Sequence, residues 1–152
     1  WYGVDGDKTV IENTDYSLVH DFTLGEATLD KTFDLVWCTE FLEHVDEKYI
    51  PNYMPLFKLG KLAVVTAAPP GWPGHHHVNC REESYWVDVF KNYGLKYDAA
   101  LTAQFKSISK MNPKEGYTYG DNKNFFLKEQ EDVKLQVLLR QLFYQTCLNR
   151  LQ

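Results

Sequence analysis

Glu40, Glu43 and His44 crowd two carboxylates and an imidazole into one turn of chain, and three further imidazoles follow at His75, His76 and His77. Groups of these types can do three things. They can cap and polarise a loop, they can move a proton, or they can hold a cation. An imidazole with an unperturbed pKa of ~6.5 suits removal of a proton from a hydroxyl or amine, so His44 and Glu40 are candidates for a general base. An exposed polar loop is the plain reading of His75, His76 and His77 together; the functional one has a single histidine, His77 next to the helix start, facing a pocket as base or ligand. Two more acids, Asp5 and Asp21, each close a short β-prone run, although Asp followed by Gly is also an ordinary turn former.

Such groups need elements to hold them. Phe33 to Cys38 (FDLVWC) is an apolar run that reads as a buried strand ending at the Glu40–His44 cluster. Ligands of open α/β sheets bind beyond the carboxyl ends of the strands, which is where this arrangement puts the polar residues. Trp1 to Val4 reads as a strand tipped by Asp5, and Tyr16 to His20 as one tipped by Asp21. A brief helix is expected over Thr9 to Asn13. Lys61 to Ala67 is continuously apolar, as expected of a strand covered on both faces. Asp46 can cap short turns, with a helix over Pro51 to Leu59 that carries Pro51 in its first turn.

The run from Ala68 to His77, rich in Pro and Gly, is a loop by local rules. Asn79-x-x-Glu82 has the form of a capping box opening a helix from Arg81 to Asn92, stopped by Gly94. Tyr85 and Trp86 fall on its apolar face and are read as core, while Trp72 is left open between core and pocket. Leu95 to Leu101 is a strand candidate, Lys106 to Asn122 an irregular excursion, and Asn124 to Lys128 a last short strand. Glu129 to Leu151 has a leucine stripe at helical spacing that buries against its own domain or a partner. Strands alternating with helices predict an α/β fold with a mostly parallel sheet.

The chain has 152 residues, enough for one core. A net charge of −5 argues against a general nucleic-acid binder, which needs a basic excess. No apolar run approaches the ~20 residues that span a bilayer, and no signal peptide is visible. Cys38, Cys80 and Cys147 are odd in number and widely spaced, which argues against a disulfide framework and makes a cytoplasmic setting the default. Cys80 and Cys147 read as packing residues.

The run Gly3-Val4-Asp5-Gly6, then Asp21-Phe22, then FDLVWCTEFLEHV, then Gly60-Lys61-Leu62 before Pro69-Pro70, resembles the class I S-adenosylmethionine-dependent methyltransferases. The segment PPGWPGHHHVNCREESYWVDVFKNYGL is similar to their small-molecule and sugar-tailoring members. The resemblance implies a Rossmann-like, mostly parallel sheet of seven strands with helices on both faces and a last antiparallel strand. Strands two to seven would be present in a domain over residues 1–128, with a carboxyl-terminal helix over 129–152. The first strand, which lies between the second and the fourth, and its G-x-G-x-G loop are missing from the chain; an upstream segment or an oligomer partner would complete the sheet.

On the cofactor S-adenosylmethionine, the resemblance gives Asp5 the ribose hydroxyls and Asp21 the adenine amino group. Phe22 would lie against the adenine ring, and Cys38 and Thr39 at the amino-acid end. His44, His77 and Glu40 would be catalytic, acting on an oxygen or nitrogen of a small-molecule or sugar acceptor. E-x-x-E-H with a downstream histidine also resembles the divalent-metal site of small-RNA 2'-O-methyltransferases, in which Glu40, Glu43, His44 and His77 would hold Mg²⁺ or Mn²⁺. That is the lesser expectation, since E-x-L-E-H occurs in many metal-free relatives. A third reading is a methyltransferase-like module without catalysis.

Overall fold

In the computed structural model, residues 1–11, 16–108 and 123–128 are described. Two sheets form. The first is a parallel pair, β1 (Gly3–Asp5) and β2 (Ser17–Val19), joined through the single helical turn α1 (Lys8–Ile11). The second contains β3 (Phe33–Cys38), β4 (Gly60–Thr66), β5 (Leu95–Tyr97) and β6 (Lys123–Lys128) in the order β3-β4-β6-β5. β3 and β4 are parallel, whereas β6 runs antiparallel to both β4 and β5. The class is α/β. A mostly parallel sheet with a last antiparallel strand was expected; among the described residues both antiparallel pairings belong to β6, the last strand, while the parallel pairs β1-β2 and β3-β4 fall in two separate sheets.

β4 organises the packing. Its residues Leu62 to Thr66 are buried without a break, and the two faces meet different partners. Ala63 and Val65 join the main core with Ile50, Tyr53, Met54 and Phe57 of α2 (Ile50–Phe57) and Trp86 and Phe90 of α3 (Glu83–Asn92). Leu62 and Val64 face the other way, toward Leu101 and Phe105 of α4 (Ala99–Ile108). Alternate side chains of a strand point to opposite faces, so this run has no polar face to show, and helices cover both sides of it. Gly60 starts the strand where β3 comes closest. A Cβ there would sit 2.7 Å from Val36 Cγ2 and 2.9 Å from the Leu62 carbonyl oxygen.

Four expectations need correction. Phe33 to Cys38 is a strand over the range expected, but it is not buried. Leu35 and Trp37 stand 42% and 54% exposed, because among the described residues that face of β3 is met by α4 through the Trp37–Phe105 contact at its carboxyl end. Leu95 to Leu101 is not one strand: β5 stops at Tyr97, and the Asp98 carboxylate accepts the Leu101 N–H at 2.8 Å, turning the chain into α4. The capping box does not form. Glu82 occupies the cap with no side-chain bond, and Asn79 is buried and engaged elsewhere, as described below. Finally, α2 ends at Phe57 rather than Leu59. Asp46 does cap, but it caps the 3-10 turn Glu47–Tyr49 that leads into α2, accepting the Lys48 N–H at 3.3 Å.

Trp86 is buried as expected, and Tyr85 is half-buried with its hydroxyl donating to Glu47 Oε1 at 2.9 Å. The expected excursion beyond residue 108, the helix over 129–151 and Cys147 lie outside the described residues, as does the end of the helix expected over Thr9 to Asn13. No helix among the described residues is long and apolar enough to cross a membrane.

Candidate functional site

The site is built at the carboxyl ends of β3 and β4. Beyond Cys38 the chain must leave the sheet and turn back. It does so at Glu40, whose φ of 53° lies in the left-handed region, a conformation that costs a residue with a Cβ on the order of 1 kcal/mol or more. Thr66, the last residue of β4, offsets this cost. Its buried hydroxyl accepts the Glu40 backbone N–H at 2.8 Å and donates to Glu40 Oε1 at 2.9 Å. One hydroxyl therefore ties down both ends of Glu40 and aims the following 3-10 turn, Leu42–His44, back across the strand ends.

The second wall is the loop from Pro69 to Cys80. Glu43 anchors it through its carbonyl oxygen, which accepts the N–H groups of Val78 and Asn79 at 2.9 and 3.0 Å. The Asn79 side chain completes the clamp, donating to the Val45 carbonyl at 3.2 Å and accepting from Arg81 Nε at 3.0 Å. His77 is thereby laid on His44, with ring centroids 4.8 Å apart and planes at 74°. His77 Nδ1 lies 3.2 Å from the Trp72 carbonyl oxygen. A carbonyl can only accept, so Nδ1 carries a proton, and in the neutral ring the lone pair is on Nε2. Gly74 packs against the same ring so closely that a Cβ at 74 would fall on the imidazole.

Glu43 is the unusual member. Its side chain is 0% exposed, and neither carboxylate oxygen has a hydrogen-bond partner among the described residues. One ligand atom from each of Glu43, His44 and His77 can be chosen so that all three lie within 4.8 Å of one another. Burial pushes the Glu43 carboxyl above the ordinary carboxylate range; its own backbone N–H, too poorly placed for a hydrogen bond, pulls the other way, Glu40 adds to the rise, and His44 and His77 oppose it. The folded chain then holds a proton that the unfolded chain has lost. The contribution of Glu43 to stability is therefore present at low pH and falls as pH rises from the ordinary carboxylate range through the raised folded value. Glu43→Gln is expected to remove that part of the pH dependence. Urea midpoints between pH 4 and 8 would measure it, and parallel curves for both proteins would refute it.

The other expected residues lie nearby in a different setting. Asp5 ends β1, and its carboxylate accepts the Asp7 N–H at 2.8 Å. Asp21 caps the 3-10 turn Phe22–Leu24, accepting from Thr23, and this bond holds its carboxyl below the usual range. Phe22 is buried against Phe41 and Tyr53, with centroids 5.4 and 6.0 Å away. Phe22 follows the tip of β2 and Phe41 follows the tip of β3, so their contact brings the carboxyl ends of the two sheets to the same end of the molecule. Burial, with Glu43 nearby, pushes the Cys38 thiol up to about 12 and keeps it protonated. Thr39 is exposed at the strand end, as are His75 and His76.

The structure thus brings together Glu43, His44 and His77, and draws Glu40 aside to Thr66. Sequence reasoning missed Thr66, Asn79 and Gly74. The signal for Thr66 was a lone hydroxyl ending an otherwise apolar strand. That for Asn79 was hidden, because the same letters spell a helix cap.

Between the sheets lies an apolar cleft of about 390 Å³, lined by Tyr2, Val4, Phe22, Phe33, Leu35 and Phe41 among others. The facing edges of β1 and β3 pair with no strand among the described residues. No family model, curated protein or solved structure matches the chain.

Proposed function

We propose that the chain is the larger part of a Rossmann-like S-adenosylmethionine-dependent methyltransferase acting on an oxygen or nitrogen of a small molecule. The observation that carries this reading is the Phe22–Phe41 contact, which packs the residue after Asp21 at the end of β2 against the segment that follows Thr39 at the end of β3. Two further features support it. The last strand described runs antiparallel to its neighbours, as the resemblance implies. Among the described residues β1 pairs only with β2 and β3 only with β4, which is compatible with the missing first strand that the resemblance implies.

The sulfonium of the cofactor is already activated, so the protein has two tasks: to align the acceptor for in-line attack and to accept its proton. Asp5 would take the ribose hydroxyls, and Asp21 the adenine amino group. Phe22 would take part through the edge of its ring, given its burial among aromatics. Removal of the acceptor's proton is assigned to the Glu43–His44–His77 cluster as a whole.

Calorimetric titration of the natural protein with S-adenosylhomocysteine tests the reading. Saturable binding is expected, weakened about tenfold or more by Asp5→Ala through loss of a charge-assisted hydrogen bond pair. Absence of binding would overturn the enzyme assignment, and an unchanged affinity in the variant would overturn the ribose role.

A further inference from the structure

We infer that Glu43, His44 and His77 form a three-donor site for a divalent transition-metal ion, with Glu40 outside it. This deepens the site assignment above and does not depend on the cofactor.

The argument begins with Glu43. A carboxyl group buried without a hydrogen-bond partner is costly in either protonation state, and neither Glu43 oxygen has a partner among the described residues. A structural acid would be expected to meet an N–H or a cationic side chain. Here the groups that face it are two imidazoles, of which His77 has its Nδ1 proton committed to the Trp72 carbonyl. That bond is the usual outer-shell support of a metal-ligating histidine, fixing the ring and leaving Nε2 as the donor. Gly74 removes the side chain that would block the same edge of the ring.

The donor set decides the ion. One carboxylate and two neutral imidazoles suit Zn²⁺, Mn²⁺ or Fe²⁺, whereas Mg²⁺ prefers oxygen ligands and retained water. The resemblance to RNA methyltransferases had put Glu40 among the ligands and favoured a hard cation. The structure takes that second carboxylate away, since Thr66 holds its Oε1 and its backbone is turned into the left-handed region. Ligands on one ion at ~2.1 Å lie ~3 to 4 Å from each other, so donor atoms within 4.8 Å need only small side-chain rotations to close. Three protein donors leave positions for water or an acceptor oxygen.

Isothermal titration of the natural protein with ZnCl₂, MnCl₂ and MgCl₂ at pH 7.5, without cofactor, tests this. One equivalent of Zn²⁺ or Mn²⁺ is expected to bind at least tenfold more tightly than Mg²⁺. Glu43→Gln and His77→Gln should each weaken that binding tenfold or more, with folding checked by circular dichroism. The double variant His75→Asn/His76→Asn should leave it unchanged, and Glu40→Gln, which keeps an oxygen for Thr66 but removes a nearby charge, should weaken it by less than tenfold. Failure of both Zn²⁺ and Mn²⁺ to bind, or binding that survives Glu43→Gln and His77→Gln, overturns the site. Loss on Glu40→Gln restores the four-ligand arrangement and overturns the three-donor one. Because cofactor binding is measured separately, failure of the metal site and failure of the methyltransferase reading are distinguishable.

Discussion

Phe90→Ala is expected to destabilise the fold by about 3 to 5 kcal/mol, the range for removing a large aromatic from a packed core. Phe90 is 0% exposed and packs edge-on against Phe57 at 4.9 Å between centroids, in the same cluster as Trp86, Met54 and Val65. It is a meeting point of α2, α3 and the inner face of β4, so no single element can shift to fill the hole. Domains hold ~5 to 15 kcal/mol in total, so the loss would remove a large share of it. Urea denaturation would show the midpoint falling while the slope is kept. Val78→Ala, at a position 50% exposed, serves as the comparison and should change stability by less than ~0.5 kcal/mol. A Phe90→Ala loss below ~1 kcal/mol would refute the packing described.

The second large effect is local. Gly74→Ala places a Cβ where the His77 ring stands, and the ring must rotate out. Rotation breaks its bond to the Trp72 carbonyl and turns Nε2 away from Glu43 and His44. Stability should hardly change, since the loop tip is exposed and Ala narrows the unfolded ensemble by ~0.4 to 1 kcal/mol in favour of folding. The site should fail: divalent-ion affinity is expected to drop tenfold or more, and the His77 ring proton resonances to move toward those of exposed histidine. Unmoved His77 resonances would show that loop and ring yield together without consequence.

These two expectations mark what the residue order made legible. β4 could be read because the run Leu62 to Val65 is apolar on both faces. β3 was equally readable as a strand, but its exposure was not, since exposure depends on which distant helix comes to cover each face. The Glu40–His44 cluster was visible as chemistry. Which carboxylate belonged to it was not, because that was settled by a hydroxyl 26 residues away at the end of β4. His77 was singled out from its two neighbours by its nearness to the helix, and the structure half-buries it while leaving His75 and His76 exposed. Asn79 was misread because a local pattern, the capping box, competed with a long-range partner at Val45, and the long-range partner won.

The position of β6 sets an order of events in synthesis. β4 and β5 are separated in the finished sheet by a strand that comes later in the chain than either. A nascent chain that has emerged only as far as α4 has no ladder joining β5 to the rest. β4 then presents its buried edge, Leu62 to Thr66, to whatever is near. The ribosome must deliver residues 123–128 before that edge closes, and until then the same hydrogen-bonding groups invite misassembly. Synthesis slowed in the stretch after Ile108 would lengthen that interval, and the yield of soluble protein would fall with it.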